Sequence, residues 1–130
     1  MKITHISIFT RDVEKLPSFY VDVFGLAENE AARSHRFREL SDGDLRLGFP
    51  FIDAYGNLGL DDQADPTGLR SIVTISTGDA GSVDALTHRA VAHGARLVKP
   101  GFQTGFHQYL SVVLDPEGNA IRISAPVATA

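Results

Sequence analysis

The sequence predicts an α+β fold, two βαβββ modules forming a shared cleft. Three observations lead there. The order strand, helix, strand, strand, strand is written twice along the 130 residues. Placing Asp12 on Asp79 superimposes ISIFTRD on VTISTGD, so that Thr10 meets Thr77, Ile8 meets Ile75 and Ser7 meets Thr74. Each helical pattern also stops at a glycine, Gly25 in one half and Gly94 in the other. A sheet covered on one face by its own helix leaves the other face bare, so two such sheets should adjoin around a cleft. A ferredoxin-like domain with extra strands is the plainer alternative.

From Ile3 to Phe9, ITHISIF alternates apolar and polar residues as a half-buried strand does. TRD supplies capping side chains, and Val13, Leu16, Phe19, Tyr20 and Phe24 follow at roughly helical spacing, with Pro17 early enough to cost little. LAENEA, HRFREL and LRLGF read as three short strands, the last two joined by the hairpin signal SDGD. The second half repeats the order with LRSIVTIST, the helix AGSVDALTHRAVAH, and the strands ARLVKP, HQYLSVVL and AIRIS. Before the last strand, Asp115, Pro116 and Gly118 of DPEGN suit successive corners of a type I turn. The alternation then sends Arg122 away from the face that Ile121 and Ile123 bury.

These patterns place one module at 1–49, a linker at 50–68, a second module at 69–125 and a tail at 126–130. The linker, rich in Gly, Asp and Pro, is long enough to be either a lid or slack. The tail reads as a frayed end.

Composition narrows the function. With 43% hydrophobic and 22% charged residues the chain is that of a globular domain, and no apolar run is long enough to span a bilayer, so a cytoplasmic protein without a membrane partner is expected. A net charge of −4 with no basic stripe gives no footprint for nucleic acid. Having no cysteine removes thiolate metal sites and cysteine nucleophiles.

HISIFTRDVEKLPSFYVDVFGL together with DPEGNAIRI resembles the vicinal oxygen chelate superfamily, which includes glyoxalase I, the bleomycin-resistance proteins and the extradiol ring-cleavage dioxygenases. The resemblance implies paired modules around one cleft, a small-molecule ligand and a homodimer. In metal-using members it implies Fe, Mn, Ni or Zn held by His or Gln on the first strand of each module and Glu on the last. Carried over, His5 matches the first ligand position. Ile72 falls at the second, with Ser71 beside it, and Arg46 and Arg122 stand on the two last strands. A guanidinium stays protonated and has no electron pair to give a cation, and two of them in one cleft repel a dication.

Alternation predicts that His5, Ser7 and Phe9 line the bare face of the first strand, with Ile6 and Ile8 toward the helix. With Leu110, Val112 and Leu114 buried, it turns His107, Tyr109 and Ser111 toward the cleft as well. Arg46 and Arg122 would anchor an anion, His5 and Tyr109 would orient it or move a proton, and Phe9 and Phe106 would supply walls. Arg122 has the competing fate of an ion pair with Glu117 or Asp115, and His35, His88 and His93 read as solvated. The expectation is a small-molecule-binding protein of the glyoxalase/bleomycin-resistance type, with no cofactor and an Arg-lined cleft for an anionic or oxygen-rich ligand. The alternatives are a metal-dependent glyoxalase- or dioxygenase-like enzyme, with His5 joined by partners such as His107 or Glu39, and a metal-free isomerase or lyase.

Overall fold

Two aspartates start the two long helices. Asp12 Oδ1 accepts the backbone N–H groups of Glu14 at 3.0 Å and Lys15 at 2.9 Å, and Asp79 Oδ1 accepts that of Ser82 at 2.7 Å. These bonds satisfy donors that a helix N-terminus leaves without partners, and they hold both carboxyls below their ordinary range. The structure, a computed structural model, describes residues 1–65 and 68–127. Its chain divides into two compact units, Met1–Gly68 and Leu69–Ala130.

The first unit runs β1 (His5–Ser7), α1 (Lys15–Phe24), β2 (Ala27–Glu28), a 3₁₀ turn (Glu30–Ala32), β3 (Phe37–Ser41), β4 (Arg46–Pro50) and the short α2 (Ala54–Asn57). Its sheet has the order β1-β4-β3-β2, with β1 parallel to β4 and the other pairs antiparallel. At its end α1 reaches Gly25, whose φ of +71° is the left-handed cap that glycine adopts without strain. Leu16, Phe19, Tyr20 and Val23 of α1 are buried, as are Leu40, Leu47 and Phe49 of the sheet. The Tyr20 and Phe49 rings, 5.3 Å apart, mark the face that α1 covers.

The second unit runs β5 (Ile72–Ser76), α3 (Ala80–Ala92), β6 (Arg96–Gln103), β7 (Gln108–Leu114) and β8 (Ala120–Pro126), with the sheet order β5-β8-β7-β6. Its first and last strands again pair in parallel. Here α3 buries Val83, Thr87 and Ala90, and the sheet buries Val113, Ile121, Ile123 and Ala125. DPEGN is a structural turn. Asp115 is buried, and its carboxylate accepts from Glu117 N–H at 2.8 Å, Asn119 N–H at 3.0 Å and the Asn119 side-chain amide at 2.9 Å.

Four local expectations differ from the structure. LAENEA forms only a two-residue strand before the 3₁₀ turn, because Glu, Asn and Ala are weak strand formers. Strand β6 continues past Pro100 and Gly101 to Gln103 by means of register shifts, which absorb the missing proline N–H. Ile6 shares the α1 side with Leu47, yet it is 45% exposed, since β1 is the sheet edge. Residues 50–65 are part of the first unit, with Ile52 N–H bonded to Thr10 C=O at 3.0 Å. Pro66 and Thr67 of the expected linker, and Ala128 to Ala130 of the tail, lie outside the described residues. Among the described residues, no helix is long and apolar enough to cross a membrane.

Candidate functional site

Pairing register gathers a set of side chains on the face of the first sheet away from α1. His5 stands opposite Arg46, which stands opposite Ser41; Ser7 stands opposite Gly48, which stands opposite Glu39. Ile8 and Thr10 N–H groups continue the ladder to Gly48 and Pro50 carbonyls, so Phe9 falls on that same face. Phe37 leans over Gly48, where a Cβ would lie 3.1 Å from its ring. Glycine at 48 thus leaves room for an aromatic wall.

A hydrogen-bonded chain crosses this face. His5 Nε2 lies 2.8 Å from Glu39 Oε1, the other Glu39 oxygen accepts from the Asn29 amide at 2.9 Å, and His5 Nδ1 lies 3.0 Å from the Thr4 hydroxyl. The Asn29 and His5 bonds hold the Glu39 carboxyl below its ordinary value, with the charge of Arg46 adding to them. An ionised carboxylate only accepts, so His5 Nε2 carries the proton on that bond. Sequence reasoning named Glu39 only as a stand-in metal partner and missed Asn29. The signal available was period-two alternation in HRFREL, which puts Phe37 and Glu39 on one face.

A group with a depressed folded pKa stabilises the fold above its unfolded value and loses that contribution as pH falls through the folded one. Glu39→Gln is therefore expected to flatten the acid limb of the melting curve, losing less stability than the parent as pH drops below about 4.5. Melting temperature followed from neutral pH to pH 3 reads this out; parallel curves would remove Glu39 from the acid response.

Arg46 is exposed and, among the described residues, forms no ion pair. In the second unit Arg122 pairs across to Thr74 and Val112, on the face away from α3, and its Nε donates to Thr74 Oγ1 at 3.2 Å. No described carboxylate forms an ion pair with it, Glu117 and Asp115 included. The two arginines are not equivalent in the repeat. Arg122 stands opposite Thr74, the counterpart of Ser7, so its counterpart in the first unit is Gly48 and not Arg46.

Strand β7 faces the other way from the alternation predicted for it. Tyr109 and Ser111 pair with Ala125 and Ile123 on the side that α3 covers. Tyr109 Oη donates to Asp84 Oδ1 of α3 at 2.8 Å, and fully buried Ser111 lies 2.6 Å from Thr87 Oγ1. The Asp84 bond raises the Tyr109 hydroxyl above its ordinary pKa. Apolar residues occur on both sides of β7, and a buried hydroxyl is tolerated where a helix supplies its partner. His107 is exposed at the β6–β7 turn with φ +63°, and Phe106 beside it is 62% exposed, so neither stands on a sheet face. His35, His88 and His93 are exposed as well.

The model of the Glyoxalase/Bleomycin resistance protein/Dioxygenase superfamily matches residues 2–123. The chain belongs to this superfamily. A glyoxalase/bleomycin resistance protein/dioxygenase family enzyme from Burkholderia phytofirmans PsJN is 35% identical, with a TM-score of 0.92 over 95% of this chain and 98% of that one. A glyoxalase-related enzyme from Fulvimarina pelagi shares the fold at 19% identity and TM-score 0.85, over 95% of this chain and 87% of that one. Lactoylglutathione lyase from Agrobacterium tumefaciens shares it at 17% identity and TM-score 0.70, over 95% and 92% of the two chains. No curated protein matches the sequence.

Superfamily members often bind metal ions, so the donor set decides whether these residues suit one. Among the described residues, no three His, Asp or Glu side chains converge to hold an ion. His5 and Glu39 meet each other, and the strand position beside them carries the Arg46 guanidinium. The remaining positions predicted from the family pattern hold Ile72, which offers no donor, and Arg122, a second cation. This set does not fit a divalent cation.

Proposed function

We propose that the protein binds a small anionic or oxygen-rich molecule on the face of the first sheet away from α1, with Arg46 as its anchor and no metal ion in the site. The observation that carries this reading is the division of charge on that face. Both Glu39 oxygens are already occupied by hydrogen bonds from Asn29 and His5, whereas Arg46 feels the Glu39 charge without forming an ion pair with any described carboxylate. A guanidinium with its donors unspent recognises carboxylate or phosphate oxygens through paired, charge-assisted bonds. Ser7 and the His5 ring supply further polar contacts, and Phe9 and Phe37 supply apolar surface. Arg122 and Thr74 offer a second, similar anchor on the corresponding face of the second unit. As is typical of the superfamily, the protein acts as a homodimer.

The test is thermal shift with small carboxylates, phosphates and neutral aromatics, alongside metal analysis of untagged protein. Acids are expected to raise the melting temperature, because a ligand that binds only the folded chain stabilises it by mass action. A rise with neutral aromatics alone would defeat the anion reading. Stoichiometric Fe, Mn, Ni or Zn that disappears in His5→Ala would defeat the metal-free one. Sedimentation of the same samples, read against the 14.0 kDa chain, reports the homodimer.

A further inference from the structure

The ring of Phe9, on the proposed binding face, is already covered. Tyr55 of α2 stacks on it with centroids 3.7 Å apart and an interplanar angle of 15°. Tyr55 belongs to a strap that leaves the sheet after β4. The strap is tied down at its root, where Phe51 N–H meets Arg36 C=O at 2.9 Å, Ile52 N–H meets Thr10 C=O at 3.0 Å, and Asp53 pairs with Arg36. Beyond that root the backbone bonds change character. Those donated by Ala54, Tyr55, Gly56, Leu58, Gly59, Leu60, Gln63 and Ala64 all return to carbonyls between Phe51 and Leu60. Ile52, Ala54 and Tyr55 are half-buried, while Leu58 and Leu60 remain 62% and 41% exposed, so the strap beyond Tyr55 leaves its leucines largely uncovered. Segments with local hydrogen bonds and few buried contacts open at low cost. Tyr55 also borders an open pocket of about 340 Å³, lined with it by Arg11, Ile52, Asp53, Gly56, Asp61 and Ala64, which leaves space beside the tyrosine.

We infer that Tyr55 is a removable lid, and that the molecule bound on this face carries a planar aromatic ring which takes Tyr55's place against Phe9 while its acid group meets Arg46. This rests on the anion reading above and adds the chemical class of the ligand. The spacing sets its length. The ladder puts Phe9 beside Pro50, four residues along β4 from Arg46, roughly 13 Å at the rise of a strand. The Arg46 side chain spans part of that gap, leaving room for an aryl ring on a short acid chain. The stack with Tyr55 shows that the Phe9 face is complementary to another planar ring.

The experiment compares hydrocinnamate with its saturated isostere, cyclohexanepropionate, by calorimetric titration of the full chain and of Tyr55→Ala, Tyr55→Leu and Phe9→Leu. The aryl acid is expected to bind about 3- to 10-fold tighter than the saturated one, the ratio that one aromatic pair corresponds to. Both Tyr55 variants should bind the aryl acid more tightly than the parent, since a lid that competes for Phe9 lowers apparent affinity by the closed fraction. Phe9→Leu should erase the aryl preference and leave acid binding in place. Equal affinity for the two acids in the parent would overturn the inference. So would weaker aryl binding in both Tyr55 variants, because Tyr55 would then be a wall of the site. If neither acid binds to any of the four proteins, the anion reading itself has failed and this inference falls with it.

Discussion

Arg46→Met is expected to weaken the binding of small carboxylates by about 10- to 100-fold while leaving the fold intact. A hydrogen bond to a charged group is worth roughly 1.5 to 3 kcal/mol, which spans that range. Because Arg46 is exposed, solvent screening places the effect toward the lower end. Methionine keeps most of the stem and its packing, so the charge is what is removed. No described ion pair is lost with Arg46, and a surface change of this kind shifts stability by no more than about 0.5 kcal/mol. Calorimetric titration with a small carboxylate at low and moderate salt measures it, and the loss should shrink as salt rises. Arg122→Met in parallel distinguishes the two anchors. A loss of less than twofold for Arg46→Met, with a full loss for Arg122→Met, would move the site to the second sheet.

Asp115→Ala is expected to cost roughly 2 to 4 kcal/mol of folding stability, a large share of the roughly 5 to 15 kcal/mol that holds a domain together. Asp115 is 3% exposed, and its carboxylate organises the β7–β8 turn by accepting from two backbone N–H groups and the Asn119 amide. Alanine leaves those donors short of an acceptor in a half-buried turn, and unmade bonds there cost more than made ones contribute. Both strands joined by the turn carry the second core, including Val113, Ile121 and Ile123. Urea denaturation reads the loss as a lower midpoint at unchanged slope. Asp115→Asn, which keeps one oxygen acceptor, should fall between the two. A midpoint shift corresponding to less than about 1 kcal/mol would show that the turn forms without its aspartate.

Features that depend on neighbours in sequence were legible in advance. The two capping aspartates and the SDGD hairpin act over two to three residues, Asp42 Oδ1 accepting from Asp44 and Leu45 N–H at 2.9 Å. The side chosen by Arg122 followed in the same way, since Ile121 and Ile123 flank it and both are fully buried. Strand β7 was not legible. Leu110, Val112, Val113 and Leu114 put apolar surface on both its sides, and Ser111 owes its buried place to Thr87, 24 residues away. Glu39 was readable only as one possible metal partner for His5; its direct hydrogen bond to that ring, 34 residues away, was not. Tyr55 sat in a stretch whose length allowed either a lid or slack, and nothing in its composition named the ring it covers.

What the sequence by itself determined is the repeated βαβββ order, the helix starts and the turn before the last strand, because caps, glycines and alternation act within a few residues. Membership of the superfamily follows from the same stretches. Only the tertiary structure decided which hydroxyls go inward on β7, that His5 meets Glu39 while Arg46 forms no described ion pair, and that the strap lays Tyr55 on Phe9. Those choices turn on partners supplied by other strands and helices. A hydrogen bond or ring stack between distant residues has no local pattern, and it becomes visible once the register of the sheet has brought its two ends together.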